Sequence, residues 1–237
     1  TTDATTDATT EATKATTDAT HVIEVIEVLE GVHQKLNYLP EALLEKLVAL
    51  VRELEPEKRA YLADLPFKAG KSTERDNVPK IVFRFFKADG SWFLYDWKQE
   101  IEMYGKAKDI MEHPVLVELL AYMNKTEGVN FNNLYIIFYR DNSHFIKDHQ
   151  DKNHTFEENA PFLLLNLLLD GSVQRTFQIT EKEGKNKFKV LASLKQAHNE
   201  AMLMSCEANE KWYHRLLKES KIKKHFRVSL VARCVKE

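Results

Sequence analysis

Cysteine is scarce in this chain: of 237 residues only Cys206 and Cys234 carry a thiol. Two thiols cannot build a disulfide framework. They point to a reducing compartment and to buried free thiols, with one optional bridge as the lesser choice. Long apolar runs are also missing, and no stretch approaches the ~18 apolar residues that a bilayer-spanning helix needs. The opening stretch of Thr, Ala and acids carries no apolar segment of the kind a secretory leader requires. The expectation is an intracellular, soluble, monomeric protein without a membrane partner, with cytoplasm and nucleus not distinguished. Net charge is small as well, at -2, but unevenly spread. Residues 1–60 hold twelve acids against six Lys/Arg, and the remainder holds 24 acids against 28 bases. The densest basic stretch, Lys211 to Arg227, has seven Lys/Arg against the single Glu219. Such a stretch is either a solvated run of lysines or a contact for phosphates.

What is present is enough for a packed core: 43% hydrophobic residues and thirteen Phe. The length allows one sizeable domain plus an appendage. Residues 1–20 repeat Thr-Thr-Asp-Ala with little variation, and nothing in them can form a core, so a disordered tail is expected. From His21 the residues Val22, Ile23, Val25, Ile26, Val28 and Leu29 alternate with Glu24, Glu27 and Glu30 in a helix-like pattern. Their β-branching leaves a strand open as the other choice. Pro40 opens a clearer helix through Leu43, Leu44, Leu47, Val48 and Val51, ending near Pro56. Residues 21–78 are therefore expected as a helical extension packed on a domain spanning 79–237. In that domain Ile81 to Phe86 and Ser91 to Trp97 suggest a hairpin turning at Ala88-Asp89-Gly90. A helix follows over Pro114 to Asn124. Short strands are then expected at 133–140, 143–149, 161–169, 173–179, 187–192, 200–206 and 225–234. Many short strands after a helical beginning indicate an α+β fold, a sandwich or barrel braced by helices.

The chemistry centres on His149-Gln150-Asp151, at the end of an aromatic and β-branched run. On a strand, residues two apart share a face, so the imidazole and carboxylate stand side by side as two metal ligands. A second histidine would complete the two-His-one-carboxylate set of non-haem Fe(II) sites, in which half the coordination sphere stays open. Taken alone the pair is weak, because the chain has nine histidines. His154 is too near for that geometry, His198 and His225 are possible, and His214 in Lys211-Trp212-Tyr213-His214-Arg215-Leu216 is the strongest candidate. Downstream, Arg227-Val228-Ser229-Leu230-Val231-Ala232-Arg233 reads as a buried strand with arginine at both ends. Two inward guanidiniums are costly unless carboxylates meet them, and a dicarboxylate ligand would do so.

With these residues in hand the chain resembles the AlkB family of Fe(II)- and 2-oxoglutarate-dependent dioxygenases over roughly Pro79 to Arg233. The resemblance rests on motifs in order: Phe131-Asn132, Tyr139-Arg140-Asp141, Ile146, His149-Gln150-Asp151-Lys152, Arg175-Thr176-Phe177, Trp212-Tyr213-His214, then Arg227 and Arg233. It implies a double-stranded β-helix (jelly-roll) core. It implies His149, Asp151 and His214 as catalytic iron ligands, with 2-oxoglutarate and O2 as cosubstrates. Arg227 and Tyr139 would hold the far carboxylate of 2-oxoglutarate, and Arg233 would support the end near the metal. The family usually has asparagine where this chain has Ile137 and Ser229. Losing a hydrogen bond to a charged group there costs roughly 1.5–3 kcal/mol, which predicts weaker cosubstrate binding rather than none. By the same resemblance the substrate is an N-alkylated base of DNA or RNA, taken out of its stack and demethylated with release of formaldehyde. Tyr95 and Trp97 are then stacking candidates, and Lys80 and Arg84 line a phosphate track. The alternatives are an oxygenase of proteins, lipids or small molecules, and a non-catalytic relative that binds alkylated nucleic acid.

Overall fold

A computed structural model describes residues 12–18, 21–64, 80–84, 108–139, 145–151, 157–218 and 226–236. In chain order its strands are β1 (Ala12–Asp18), β2 (His21–Leu29), β3 (Val32–Leu36), β4 (Lys80–Arg84), β5 (Lys108–Asp109), β6 (Asn133–Tyr139) and β7 (Ile146–His149). There follow β8 (Phe162–Leu169), β9 (Arg175–Gly184), β10 (Lys187–Gln196), β11 (Glu200–Met204), β12 (Tyr213–Leu216) and β13 (Phe226–Arg233). The helices are α1 (Glu41–Asp64), α2 (Pro114–Glu127) and α3 (Cys206–Lys211), with a 3-10 turn at Ile110–Glu112. The fold is mixed α+β, with mostly antiparallel strands in two sheets and few helices. A large sheet runs β1-β2-β3-β11-β8-β13-β6-β4-β5, and a small one runs β10-β9-β12-β7. The β4–β5 pair is the parallel one.

Alternation along the central strands divides the interior into two layers. In β6, Leu134, Ile136 and Phe138 pack with Leu47, Val51, Leu116, Leu119 and Met123 of α1 and α2. The intervening Tyr135, Ile137 and Tyr139 face the other way, with Phe177, Ile179, Trp212 and Leu216 of the small-sheet side. Strand β8 divides likewise, Leu163, Leu165 and Leu167 toward the helices and Phe162 toward the small sheet. Period-two side-chain placement on a doubly covered sheet accounts for this. Helix α2 stops where Gly128 takes φ 66, a left-handed backbone that costs glycine nothing.

The N-terminal region departs from the sequence expectation. Residues 21–36 are not helical but form the β2–β3 hairpin, and β3 lies beside β11 in the large sheet. The glutamates three apart imitate a helical period, while the β-branched residues between them favour extended backbone. Ala12–Asp18, expected to be disordered, pairs antiparallel with β2 from Ala12↔Ile26 onward. An edge strand needs only backbone partners, and β-branched Thr suits it. Helix α1 also continues through Pro56 to Asp64. A proline removes one backbone donor, but Glu, Lys, Arg, Ala and Leu on both sides favour the helix. Among the described residues no helix is long and apolar enough to cross a membrane.

Candidate metal centre

Strands β7 and β12 are antiparallel neighbours, and His149 and His214 sit directly opposite each other in that pairing. Paired residues leave the same face of a sheet, which brings two imidazoles together from positions far apart in the chain. Their ring centroids are 4.2 Å apart at 58°. Asp151 lies just past the end of β7 rather than on it. One ligand atom each from His149, Asp151 and His214 all lie within 4.8 Å of one another, and His149 Nε2 is 3.9 Å from Asp151 Oδ1. The triad thus lies within metal-binding distance and is compatible with a Fe(II) site.

Each ligand is held by a second contact. His149 Nδ1 donates to the Lys147 carbonyl at 2.9 Å, which leaves the Nε2 lone pair turned to Asp151. His214 is 4% exposed, walled by Phe162 at 5.6 Å and Phe177 at 5.8 Å. Asp151 Oδ2 accepts from Arg233 Nη2 at 2.8 Å, so Oδ1 is the atom facing the imidazoles. Burial pushes the Asp151 carboxyl up, but the charges of Arg233, His214 and His149 outweigh it and hold the group well below the ordinary carboxylate range. Anionic oxygen and neutral imidazole nitrogen are the forms that bind a divalent ion.

A second cationic group lines the same pocket as the triad. Arg227 is 1% exposed on β13, with its Cζ 4.5 Å from the Tyr139 ring centroid on neighbouring β6. Its Nη2 donates to Gln196 Oε1 at 2.6 Å. Nε and Nη1 meet no acceptor in hydrogen-bond geometry among the described residues, although the Tyr139 hydroxyl is near enough to act on the charge. Burial lowers the Arg227 pKa to about 10; Tyr139 and Glu200 oppose this, and the Arg175 guanidinium adds to it. Tyr139 is raised by burial against the pull of Arg227, Arg175 and Ser229. A pocket joins the two groups, bounded by His149, Asp151, His214, Arg227, Tyr139, Ile137, Phe162, Phe177, Leu164 and Arg233. Its lining combines the triad and the two arginines with the apolar side chains of Ile137, Phe162, Leu164 and Phe177.

The structure therefore brings together His149, Asp151, His214, Tyr139, Arg227 and Arg233. Ser229 is fully buried, opposite Ile137 in the β13–β6 pairing, and does not line the pocket. Arg233 is engaged with the Asp151 carboxylate. His198 is elsewhere, its Nδ1 accepting from Leu168 N at 3.0 Å. His154 and His225 lie outside the described residues, as do Tyr95, Trp97 and the expected hairpin between them and Ile81. Lys80 and Arg84 are at the two ends of β4, opposite Ile137 and Asn133, and their side chains lie outside what is described. Gln196, Glu200 and Asn209 gave no sequence signal; each reaches the site through sheet pairing or a loop contact that no local motif encodes. No protein-family model matches this chain, and no curated protein matches it.

Proposed function

We propose that this chain is an AlkB-like Fe(II)- and 2-oxoglutarate-dependent dioxygenase with a double-stranded β-helix core, acting on N-alkylated bases of DNA or RNA. One observation carries the reading: two imidazoles and a carboxylate converge in a pocket that is also lined by the buried Arg227 guanidinium, two of whose donors meet no acceptor in hydrogen-bond geometry among the described residues. The triad and the guanidinium fit an ion with open positions and an acid bound to it. Ferrous iron there, with 2-oxoglutarate and O2, supplies oxidation of an N-alkyl carbon coupled to decarboxylation of the keto acid to succinate and CO2, with formaldehyde released.

The chain's own residues bind, orient and exclude. His149 Nε2, Asp151 Oδ1 and a His214 nitrogen present three donors to one ion. Arg233 holds Oδ2 and so fixes which carboxylate oxygen faces the metal. Arg227 Nε and Nη1 receive the far carboxylate, with the Tyr139 hydroxyl beside them. Phe162, Leu164 and Phe177 line the pocket with apolar surface, which lowers the local dielectric and strengthens the charge interactions inside it. A nucleobase as substrate rests on the likeness of the sequence motifs.

The test is release of succinate and formaldehyde with Fe(II) and 2-oxoglutarate across panels of methylated DNA, RNA and peptides. Oxidation of alkylated nucleic acid that falls steeply with salt is the expected result. Turnover on peptides alone, insensitive to salt, moves the substrate to a protein side chain. Iron binding without oxygen-dependent succinate replaces the enzyme with a binding module.

A further inference from the structure

Among the described residues four asparagines use both ends of the carboxamide on the backbone of a single other residue. Asn124 holds Phe131, accepting from its N at 2.8 Å and donating to its O at 3.2 Å. Asn132 holds Val235 at 2.8 and 2.9 Å, and Asn199 holds Leu39 at 2.8 and 2.9 Å. Asn209 does the same to Asp151, with both bonds at 2.9 Å. In each case a side-chain amide stands where a neighbouring strand's peptide group would be. Three of these clamps hold residues that do not belong to the triad. The fourth grips the carboxylate ligand of the candidate metal centre.

Asp151 needs such a grip because β7 ends at His149, so no ladder continues to its backbone. Asn209 is 1% exposed and lies in α3, whose first turn is capped by Ser205 Oγ accepting from Ala208 N at 3.1 Å. The next residue helps: Gln150 Nε2 donates to the Glu210 carbonyl at 2.6 Å. On its other side α3 rests on the β2–β3 turn, where Ser205 N donates to Gly31 O at 2.8 Å. The fit is close, since a Cβ on Gly31 would come within 2.6 Å of Ser205 Oγ and 3.3 Å of the Ala208 Cβ. With its N–H and C=O held by Asn209 and its Oδ2 by Arg233, Asp151 has one atom, Oδ1, left to offer.

We propose that Asn209 is a positioning residue for the metal centre, setting the placement of Asp151 Oδ1 through the ligand's own backbone. The inference rests on the metal reading above. It makes the N-terminal hairpin and α3 part of the apparatus that shapes the site.

The test is titration of the purified full chain with Mn(II), and with Co(II) followed by its d–d absorption, alongside apoprotein melting. Asn209→Ala is expected to weaken Mn(II) binding by about 10–100-fold and to alter the Co(II) spectrum. Asn199→Ala removes the same kind of clamp at Leu39, where neither residue lines the pocket. It is expected to lower the melting temperature while leaving the Mn(II) affinity and Co(II) spectrum as in wild type. Asn209→Ser, which keeps a neutral hydroxyl able to pair with only one of the two backbone groups, gives a partial loss and serves if the alanine variant does not fold. Wild-type affinity in both Asn209 variants overturns the proposal, as does an equal loss in Asn199→Ala. Failure of the wild type to bind either ion overturns the metal reading and the proposal with it.

Discussion

The two ends of β13 carry the same side chain in opposite circumstances. Arg233 is ion-paired, its Nη2 2.8 Å from the Asp151 carboxylate. Arg227 is the more deeply buried of the two, yet its hydrogen-bonded partner is the neutral amide of Gln196. A second guanidinium, Arg175, adds repulsion, and Glu200 is the buried carboxylate that offsets it. A guanidinium that has found its carboxylate holds the protein in shape. One that is dry and short of acceptors stores a demand that a ligand can meet. Function is therefore sought at the 227 end, and the geometry of the ligand set is secured at the 233 end.

The largest effect removes what both ends serve. His214→Ala deletes a donor from the triad and is expected to abolish Mn(II) binding in titrations and every oxidation product in the succinate and formaldehyde assays. Retention of either would sink the metal assignment. Next, Arg233→Met leaves the buried Asp151 carboxylate without its counter-charge, which costs about 3–5 kcal/mol of apoprotein stability by denaturant melting. Arg227→Met does the reverse. Relief of an ill-compensated buried charge, about 1–4 kcal/mol, offsets about 1–3 kcal/mol for leaving the Gln196 oxygen without its donor. Apoprotein stability is expected to stay level or rise, while 2-oxoglutarate affinity falls about ten- to a hundredfold in equilibrium titrations. Equal destabilisation by the two methionine variants would erase the distinction between the ends.

The parts of this arrangement legible in the sequence are those that one local pattern encodes. Strands β6, β8 and β13 were readable because their runs of aliphatic and aromatic residues fit a sheet buried on both faces. His149 and Asp151 announced themselves by spacing, and His214 by the order of motifs around it. The four-residue β12 did not show as a strand, being too short for periodicity and flanked by lysines. The hairpin at residues 21–36 was hidden by glutamates at a helical spacing, and its place beside β11 depends on a pairing no local pattern states. Gln196 and Asn209 were invisible for the same reason. One meets Arg227 across 31 positions and the other meets Asp151 across 58.

The smallest predicted effect tests whether the helix-side layer stays dry at the Arg233 end of β13. Cys234, next along the chain, is 3% exposed, and burial aided by the Glu157 charge pushes its thiol up to about 11 from an ordinary value near 9. A raised folded-state pKa means that the folded protein keeps the thiol proton more firmly than the unfolded chain does. The resulting stability is complete below the unfolded value and is lost as pH rises through the folded one. Between pH 9 and 11 the wild type should therefore lose stability relative to Cys234→Ala by on the order of 2 kcal/mol, measured as the difference between their denaturant midpoints at each pH. Lysines and tyrosines titrate in the same window in both proteins, so only that difference reports on the thiol. Parallel curves would mean that water reaches the helix-side layer beyond the end of β13, the face opposite the Arg233–Asp151 pair.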